Sequence, residues 1–263
     1  MKLGFIGAGH MAQALMLGFK RQQTQSVTIT VHSTHQTSYE PFAATNGFQA
    51  AASNEAVLAQ SEVVFLAVPA AATVALCQAL APVLKPNTIL VSVAGGVSLA
   101  QISHVVPAAQ VLRVMPNVNV AINQGMTALA APEVMTPAVY QKVVALMETL
   151  GATVTLPEAN FPIFSAIAGS APAYADLFID ALARAGVKYG LTKVAADQIA
   201  AQTVRGSAQN LLENQLAPWL AIDQVSSPGG TTVAGLLAME QAGLMSAVVA
   251  GIDATIAKEQ APS

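Results

Sequence analysis

Two rhythms of apolar residues alternate along the first 157 positions. Short β-branched runs at 3–6, 26–31 (SVTITV), 63–68 (VVFLAV), 88–93 (TILVSV), 111–115 and 152–156, with a weaker one at 125–130, read as strands. Between them apolar residues recur at three- and four-residue intervals. Met11, Ala14, Leu15, Gly18 and Phe19 mark a helix from His10, and Val139, Val143, Leu146, Met147 and Leu150 mark one over 137–150. Helices are also expected over 71–84 and 98–104. One more ends near Asn46 at the cap Gly47, and another starts at Ser53 or Asn54. Continuous apolar strands separated by helices predict an α/β fold: a doubly wound, mostly parallel sheet covered on both faces.

After about Pro157 the strand signal stops. Helices are expected over 161–185, interrupted at Pro172, and over 193–212, 231–240 and 244–256. Asp176, Asp180 and Arg184 lie four apart on one face, beside an apolar stripe of Phe178, Leu182 and Ala185. Gly169, Ser170, Ala171 and Ala173 leave little side chain around Pro172, which permits close helix approach in packing or at a subunit seam.

The first strand and helix are joined by Gly7-Ala8-Gly9-His10-Met11-Ala12, a G-x-G-x-x-A pattern. Strand, glycine turn and helix are the setting in which this pattern holds a dinucleotide. The first glycine allows the tight turn, the second lets pyrophosphate approach the backbone, and the small third residue lets helix and strand pack closely. A tight turn that binds nothing is the plain alternative. The expected architecture is a Rossmann-type dinucleotide-binding domain over 1–157 and an all-helical domain over 158–263. Ligands in such sheets bind outside the carboxyl ends of the strands. Gly7, residues 32–34, Val68-Pro69, residues 94–96 and Pro116-Asn117 should therefore meet at one crevice. The second strand ends in His32-Ser33-Thr34-His35 rather than in an acid, and the next acid is Glu40. Imidazoles and hydroxyls can donate to a 2′-phosphate that a carboxylate would repel, which favours NADP over NAD; ordinary turn residues are the other reading.

Composition changes this picture in one respect. The chain is 54% apolar and 10% charged, so it has few polar side chains with which to cover itself, and extensive subunit contacts are expected. The formal net charge of -3, with no basic stripe, argues against nucleic acid. The one cysteine, Cys77, has no partner for a disulfide and sits in an apolar run as a core thiol. Residues 63–84 are long enough to span a bilayer, but Pro69 and Pro82 punctuate them. With the first strand at the very start of the chain, a soluble cytoplasmic protein is expected.

The sequence has no nucleophile elbow with a Ser-His-Asp order, no HExxH and no paired-cysteine spacing, and its four histidines are scattered, so no metal site is expected. The distinctive stretch is 225–236, VSSPGGTTVAGL. A serine–glycine loop leads into a helix beginning at Thr231 or Thr232. Backbone N–H groups at such a terminus can hold a small carboxylate, and a threonine hydroxyl can bond a ring nitrogen. A plain helix cap reads equally well.

Taken together, GFIGAGHMA at 4–12, VFLAVP at 64–69, VSVAGGVSLAQI at 91–102, RVMPN at 113–117, AGSAPAYADLFIDALARAGVKYGL at 168–191, AAQTVRGSAQNLL at 200–212 and SSPGGTTVAGL at 226–236 resemble the pyrroline-5-carboxylate reductases. The resemblance runs through nearly the whole chain, and the last motif is its most specific part. It implies NAD(P)H-dependent reduction of a cyclic imine to L-proline, with NADPH the favoured donor. By similarity Gly7, Ala8, Gly9, His10, Met11 and Ala12 would hold the pyrophosphate. Ser33, Thr34 and Asn54 would lie near the adenosine end, and Val68, Pro69, Ala94, Gly95 and Gly96 along the crevice toward the nicotinamide. Ser227, Gly229, Gly230, Thr231 and Thr232 would bind the substrate carboxylate, with Thr232 bonding the ring nitrogen as the catalytic residue. The family's intertwined homodimers, often gathered into a ring of five, would account for the low charge.

Three positions depart from the family pattern. Pro69 stands where AVKP has its lysine, Val118-Asn119 replace Thr-Pro after MPN, and Gly95-Gly96 replace Ala-Gly. The first removes a positive charge from the cofactor crevice, for which Lys85 and Arg113 are the candidate substitutes. A divergent imine reductase of the same fold, or a dinucleotide-sensing dimer without turnover, are the alternative readings. A β-hydroxyacid reductase would need a lysine nearer the centre of the long helix than Lys188 or Lys193.

Overall fold

The computed structural model describes residues 1–22, 26–85, 88–107, 109–132 and 135–260. The chain divides into two compact units, Met1–Gly169 and the residues from Ser170 on. The first contains β1 (Lys2–Ile6), α1 (His10–Arg21), β2 (Thr28–His32), α2 (Gln36–Asn46), β3 (Gln49–Ala50), α3 (Asn54–Gln60), β4 (Val63–Leu66) and α4 (Ala70–Leu80). It continues through β5 (Ile89–Ser92), α5 (Leu99–Val105), β6 (Gln110–Pro116), β7 (Gly125–Ala130), α6 (Pro137–Glu148), β8 (Gly151–Thr155) and the short α7 (Phe161–Phe164). These strands form one sheet in the order β3-β2-β1-β4-β5-β6-β7-β8.

The central strands are parallel and buried throughout, as their unbroken apolar runs require: all of β4 and β5 is buried. Side chains alternate between two cores. Val63, Phe65, Ile89 and Val91 point to the face covered by α1, α2 and α6; Val64, Leu66 and Leu90 point to the face covered by α3, α4 and α5. On the first face Phe5 and Phe65 stack with centroids 4.7 Å apart, and Phe19 of α1 closes over Phe65 at 5.6 Å. The second core takes in Cys77, Phe161 and Phe164.

β7 runs antiparallel to β6. Only residues 117–124 connect the two, too few for a parallel crossover. A 3-10 turn at Val118–Ile122 makes the reversal. Asn117 fastens it, its amide donating to the Ala168 carbonyl at 2.9 Å and its oxygen accepting from Met126 N at 3.2 Å. Asn117 was expected at the crevice; because the chain folds back here, its side chain is used inside the fold instead.

Three other expectations are corrected. The helix expected over 71–84 gives way after Leu80 to a 3-10 turn, because Pro82 has no N–H to continue the α ladder. The helix through Pro172 survives, through a π-helical stretch at Ser165–Ser170 that absorbs the missing donor before α8 (Ala171–Lys188). The second strand begins two residues late and includes His32.

The second unit is wholly helical in its described residues: α8 is followed by α9 (Lys193–Asn214), α10 (Pro218–Gln224), α11 (Thr231–Gln241) and α12 (Leu244–Gln260). α8 and α9 pack on a small core of Ala183, Ala196 and Ala200 with Ile179. Asp180 bridges Arg184 at 2.5 Å and Lys193 at 3.1 Å, and Lys193 also pairs with Asp197. Tyr174 of α8 and Thr255 of α12 share a hydroxyl hydrogen bond.

Candidate active site

The sheet order reverses direction between β1 and β4, which opens a crevice at their carboxyl ends. A cavity of about 710 Å³ lies there. Of the residues expected to hold the cofactor, Gly7, Ala8, Gly9, His10, Met11, Ala12, Ser33, Thr34, Asn54, Val68, Pro69, Ala94 and Gly95 line it. Gly96 does not, and neither Lys85 nor Arg113 reaches it.

Each part of the cradle has a local cause. Gly7 sits at φ +99°, and a Cβ there would lie 2.3 Å from the Ala67 carbonyl oxygen, so the turn tolerates no side chain. Its N–H bonds the His32 carbonyl at 2.8 Å, tying the turn to the end of β2. A Cβ on Gly9 would meet nothing within 4 Å, so the backbone there faces open space. Gly9 caps α1 without any side-chain hydrogen bond, and the first intrahelical bond runs from Gln13 N to Gly9 O. The N–H groups of His10, Met11 and Ala12 are thus left without helical acceptors at the positive end of the helix dipole, where a pyrophosphate fits. Ala12, 1% exposed, lets the helix lie close to the sheet.

The wall of the crevice at the end of β2 is held from behind. His32 Nδ1 lies 2.9 Å from the Ala51 carbonyl oxygen and 3.2 Å from the hydroxyl of the fully buried Tyr39. Thr34 Oγ1 and His35 Nδ1 are 3.1 Å apart. Ser53 is the residue that caps α3, accepting from Ala56 N at 3.2 Å. On the other side of the crevice Pro69 caps α4, and its carbonyl accepts from Ala72 N and from the Thr73 hydroxyl.

One buried network had no signal in the sequence. Arg113, 7% exposed, donates to Glu158 at 2.8 Å and lies over the Phe161 ring at 4.7 Å. Glu158 also accepts from Leu99 N at 3.0 Å. The pair therefore fixes the start of α5, which follows the Ala94–Gly95 edge of the crevice. With its charge matched here, Arg113 is no substitute for a lysine at position 69. Forty-five residues separate the partners, and neither stands in a spacing that marks them. Cys77 is buried, and desolvation pushes its thiol up to about 11, which makes it a poor nucleophile. No group of three or more potential metal ligands occurs among the described residues.

The expected substrate residues lie on the helical unit. Ser227-Pro228-Gly229-Gly230 is a turn closed by Gly230 N to Ser227 O at 2.9 Å, with proline at its second position and Gly229 at φ +68° at its third. A Cβ on Gly230 would lie 2.5 Å from Ser227 Oγ. Gly230 then caps α11 with no side-chain bond, so the N–H groups of Thr231, Thr232 and Val233 are unclaimed by the helix. Both threonines are exposed. Ser226 Oγ is buried with no hydrogen-bond partner.

Comparison with known proteins bears on both units. Residues 158–261 match the family described as pyrroline-5-carboxylate reductase dimerisation, and residues 2–96 match NADP oxidoreductase coenzyme F420-dependent. The pyrroline-5-carboxylate reductase of Synechocystis sp. is 33% identical over 262 residues, 99% of this chain and 97% of that protein. The solved 1-pyrroline-5-carboxylate reductase of Streptococcus pyogenes is 34% identical with a TM-score of 0.83, covering 99% of this chain and 98% of that one. The Plasmodium falciparum pyrroline carboxylate reductase, solved with NADP bound, is 25% identical with a TM-score of 0.82, covering 99% and 97%.

Proposed function

The chain belongs to the pyrroline-5-carboxylate reductase family, and we propose that it reduces 1-pyrroline-5-carboxylate to L-proline, the last step of proline biosynthesis, with NADP(H) in the crevice of the sheet unit. The observation that carries this reading is the presence, in one chain, of two helix starts without a side-chain cap. One opens after a glycine turn shaped for pyrophosphate, the other after a turn shaped for a small carboxylate.

When bound, NADPH supplies a hydride to the imine carbon, and the ring nitrogen takes its proton from solvent. The protein's share is to hold two reactants in register. Gly7 and Gly9 bring the backbone up to the pyrophosphate, and the α1 N–H groups bond its oxygens. Ser33, Thr34 and Asn54 border the adenosine end; Ala94 and Gly95 border the nicotinamide end, where Gly96 completes the loop. In the helical unit the N–H groups from Thr231 on, with Ser227 and the Gly229-Gly230 turn, hold the carboxylate. The Thr232 hydroxyl bonds the ring nitrogen and so stabilises the iminium that accepts the hydride.

The helical unit assembles with a further copy of the chain. We assign it a homodimer, in the cytoplasm and away from membranes; sedimentation separates this dimer from a ring of five dimers. The stretch Glu158–Lys188 is long and apolar enough to cross a bilayer, and 17% of its most apolar window is buried. An exposed apolar face is also what a dimerisation helix presents.

The decisive experiment is NADPH and NADH oxidation by the purified protein with 1-pyrroline-5-carboxylate, read at the cofactor's absorbance, with proline identified as product. Rapid turnover is expected. Intact NADPH binding without turnover would overturn the reading in favour of a dinucleotide sensor.

A further inference from the structure

At the end of β2, where dinucleotide folds of this topology place an acid for the ribose hydroxyls, this chain has an imidazole. His32 lines the crevice together with Ser33, Thr34 and His35. Its ring is fixed on the inner side. Nδ1 is 2.9 Å from the Ala51 carbonyl oxygen, and the Tyr39 hydroxyl donates to the same oxygen at 3.1 Å. A carbonyl oxygen has no proton to give, so Nδ1 carries the hydrogen, and Nε2 has no hydrogen-bond partner among the described residues. Burial, and then the charge of Glu40, hold the Tyr39 hydroxyl above the usual phenol range, so it remains a neutral anchor.

One proton changes what Nε2 can recognise. Without it, Nε2 is an acceptor and suits the 2′-hydroxyl of NADH. With it, Nε2 is a charged donor and suits the 2′-phosphate of NADPH. We propose that His32, locked in one tautomer by Ala51 and Tyr39, selects between the two cofactors by its protonation, with NADPH increasingly favoured as pH falls. This rests on the crevice being the NAD(P)H site.

The titratable groups described around His32 come from α1, α2, α3 and the turn after β2. From α3, Glu55 is held below the usual carboxylate range by the Ser53 hydroxyl, then by its own backbone N–H, with a smaller contribution from the charge of His32. From α2 come Tyr39 and, behind it, Glu40; from the turn, His35 beside Thr34; from α1, His10, which lines the same crevice.

The test is calorimetric binding of NADPH and of NADH to the full chain, with no imine present, at pH 8.5 and 6.5. The preference for NADPH should rise about tenfold toward the lower pH, as a neutral acceptor becomes a charged donor. NADPH binding should take up a proton, seen as a heat that varies with the buffer's ionisation enthalpy. His32→Asn keeps an amide N–H for the Ala51 carbonyl but cannot titrate. Its preference should agree at the two pH values within about twofold, because the phosphate's own ionisation near pH ~6 acts weakly and in the opposite sense. His35→Gln should keep the wild-type response, which preserves the test should His32→Asn fail to fold. A response lost in His35→Gln, or a wild-type preference that does not move with pH, overturns the assignment to His32 and leaves the reductase reading standing. Failure of both nucleotides to bind would overturn the reading beneath it.

Discussion

Phe5, Phe19, Phe65 and Tyr39 of the sheet unit have no solvent exposure, whereas Leu177, Val194, Leu212 and Val249 of the helical unit are 69%, 79%, 75% and 60% exposed. The only buried apolar residues described in the helical unit are three alanines, Ala183, Ala196 and Ala200. Both units are rich in apolar residues, but only one buries them within a single chain. The sheet unit has two faces and a helical layer for each, so its folding is closed locally. The helical unit matches the family's dimerisation model, so its uncovered apolar side chains are expected to pack on a second copy of the chain.

The exposed face of the helical unit is where substitution should cost most. The double substitution Leu177→Glu with Val249→Glu adds charge to side chains that are already exposed in one chain. In a monomer such changes shift stability by about 0.5 kcal/mol or less. Buried against a second copy, an unpaired carboxylate costs several kcal/mol, so association should weaken on the order of a thousandfold. Sedimentation over a dilution series reads this directly. Assembly at wild-type strength would mean that neither residue is covered, and the helical unit would then need another account of its exposed face.

Inside the sheet unit fold and site overlap, and two glycines tell them apart. Gly7→Ala forces a Cβ to 2.3 Å from a backbone oxygen at a φ that favours glycine, and should cost about 2–4 kcal/mol of stability. Gly9→Ala meets only open space, so its melting temperature should stay within about 2 °C while NADPH affinity falls at least about tenfold. Equal melting losses in the two variants would show that the turn is structural alone.

What was legible in the sequence follows the same division. The buried strands β4, β5 and β6 announce themselves because a parallel sheet covered on both faces needs uninterrupted apolar runs. The edge strand β3, Gln49–Ala50, is exposed and only two residues long, so no pattern marks it. The helix α10 begins at a proline and buries none of its residues, which removes the periodic signal. Most crevice residues follow from strand ends and strand order, which the alternation of elements already implies. The Arg113–Glu158 pair and the Tyr39–His32–Ala51 cluster do not, because contacts between residues far apart in sequence appear only once the sheet has brought their elements together.

On the helical unit the expected effect is smaller and confined to rate. Thr232 is exposed, so Thr232→Ala should leave folding and assembly intact. Losing a hydrogen bond to a charged nitrogen is worth roughly 1.5–3 kcal/mol, or about ten- to a hundredfold in kcat. The comparison predicts that NADPH affinity, a property of the sheet unit, will not follow. A rate within about twofold of wild type would remove Thr232 from the mechanism.

The smallest effect concerns Pro69, which stands where the AVKP pattern of the resemblance has its lysine. Its backbone, at φ -54° and ψ 147°, is a conformation that any residue adopts, and the position is exposed. The carbonyl that receives Ala72 N and the Thr73 hydroxyl belongs to the main chain and would survive substitution. Pro69→Lys should therefore fold, losing about 0.4–1 kcal/mol as the unfolded chain regains the freedom that proline denied it. Its ammonium would enter a crevice with no lysine or arginine among its lining residues. An added charge near a partly exposed anion is worth about 0.2–1 kcal/mol, so NADPH should bind up to about fivefold more tightly at low ionic strength. Salt should erase the gain, since charges this exposed are screened within about 10 Å at 0.1 M. A gain that persists in high salt would point to a direct hydrogen bond to the cofactor. No gain at any salt would show that the uncapped start of α1 already meets the cofactor's charge, and that the loss of the lysine in this chain is neutral.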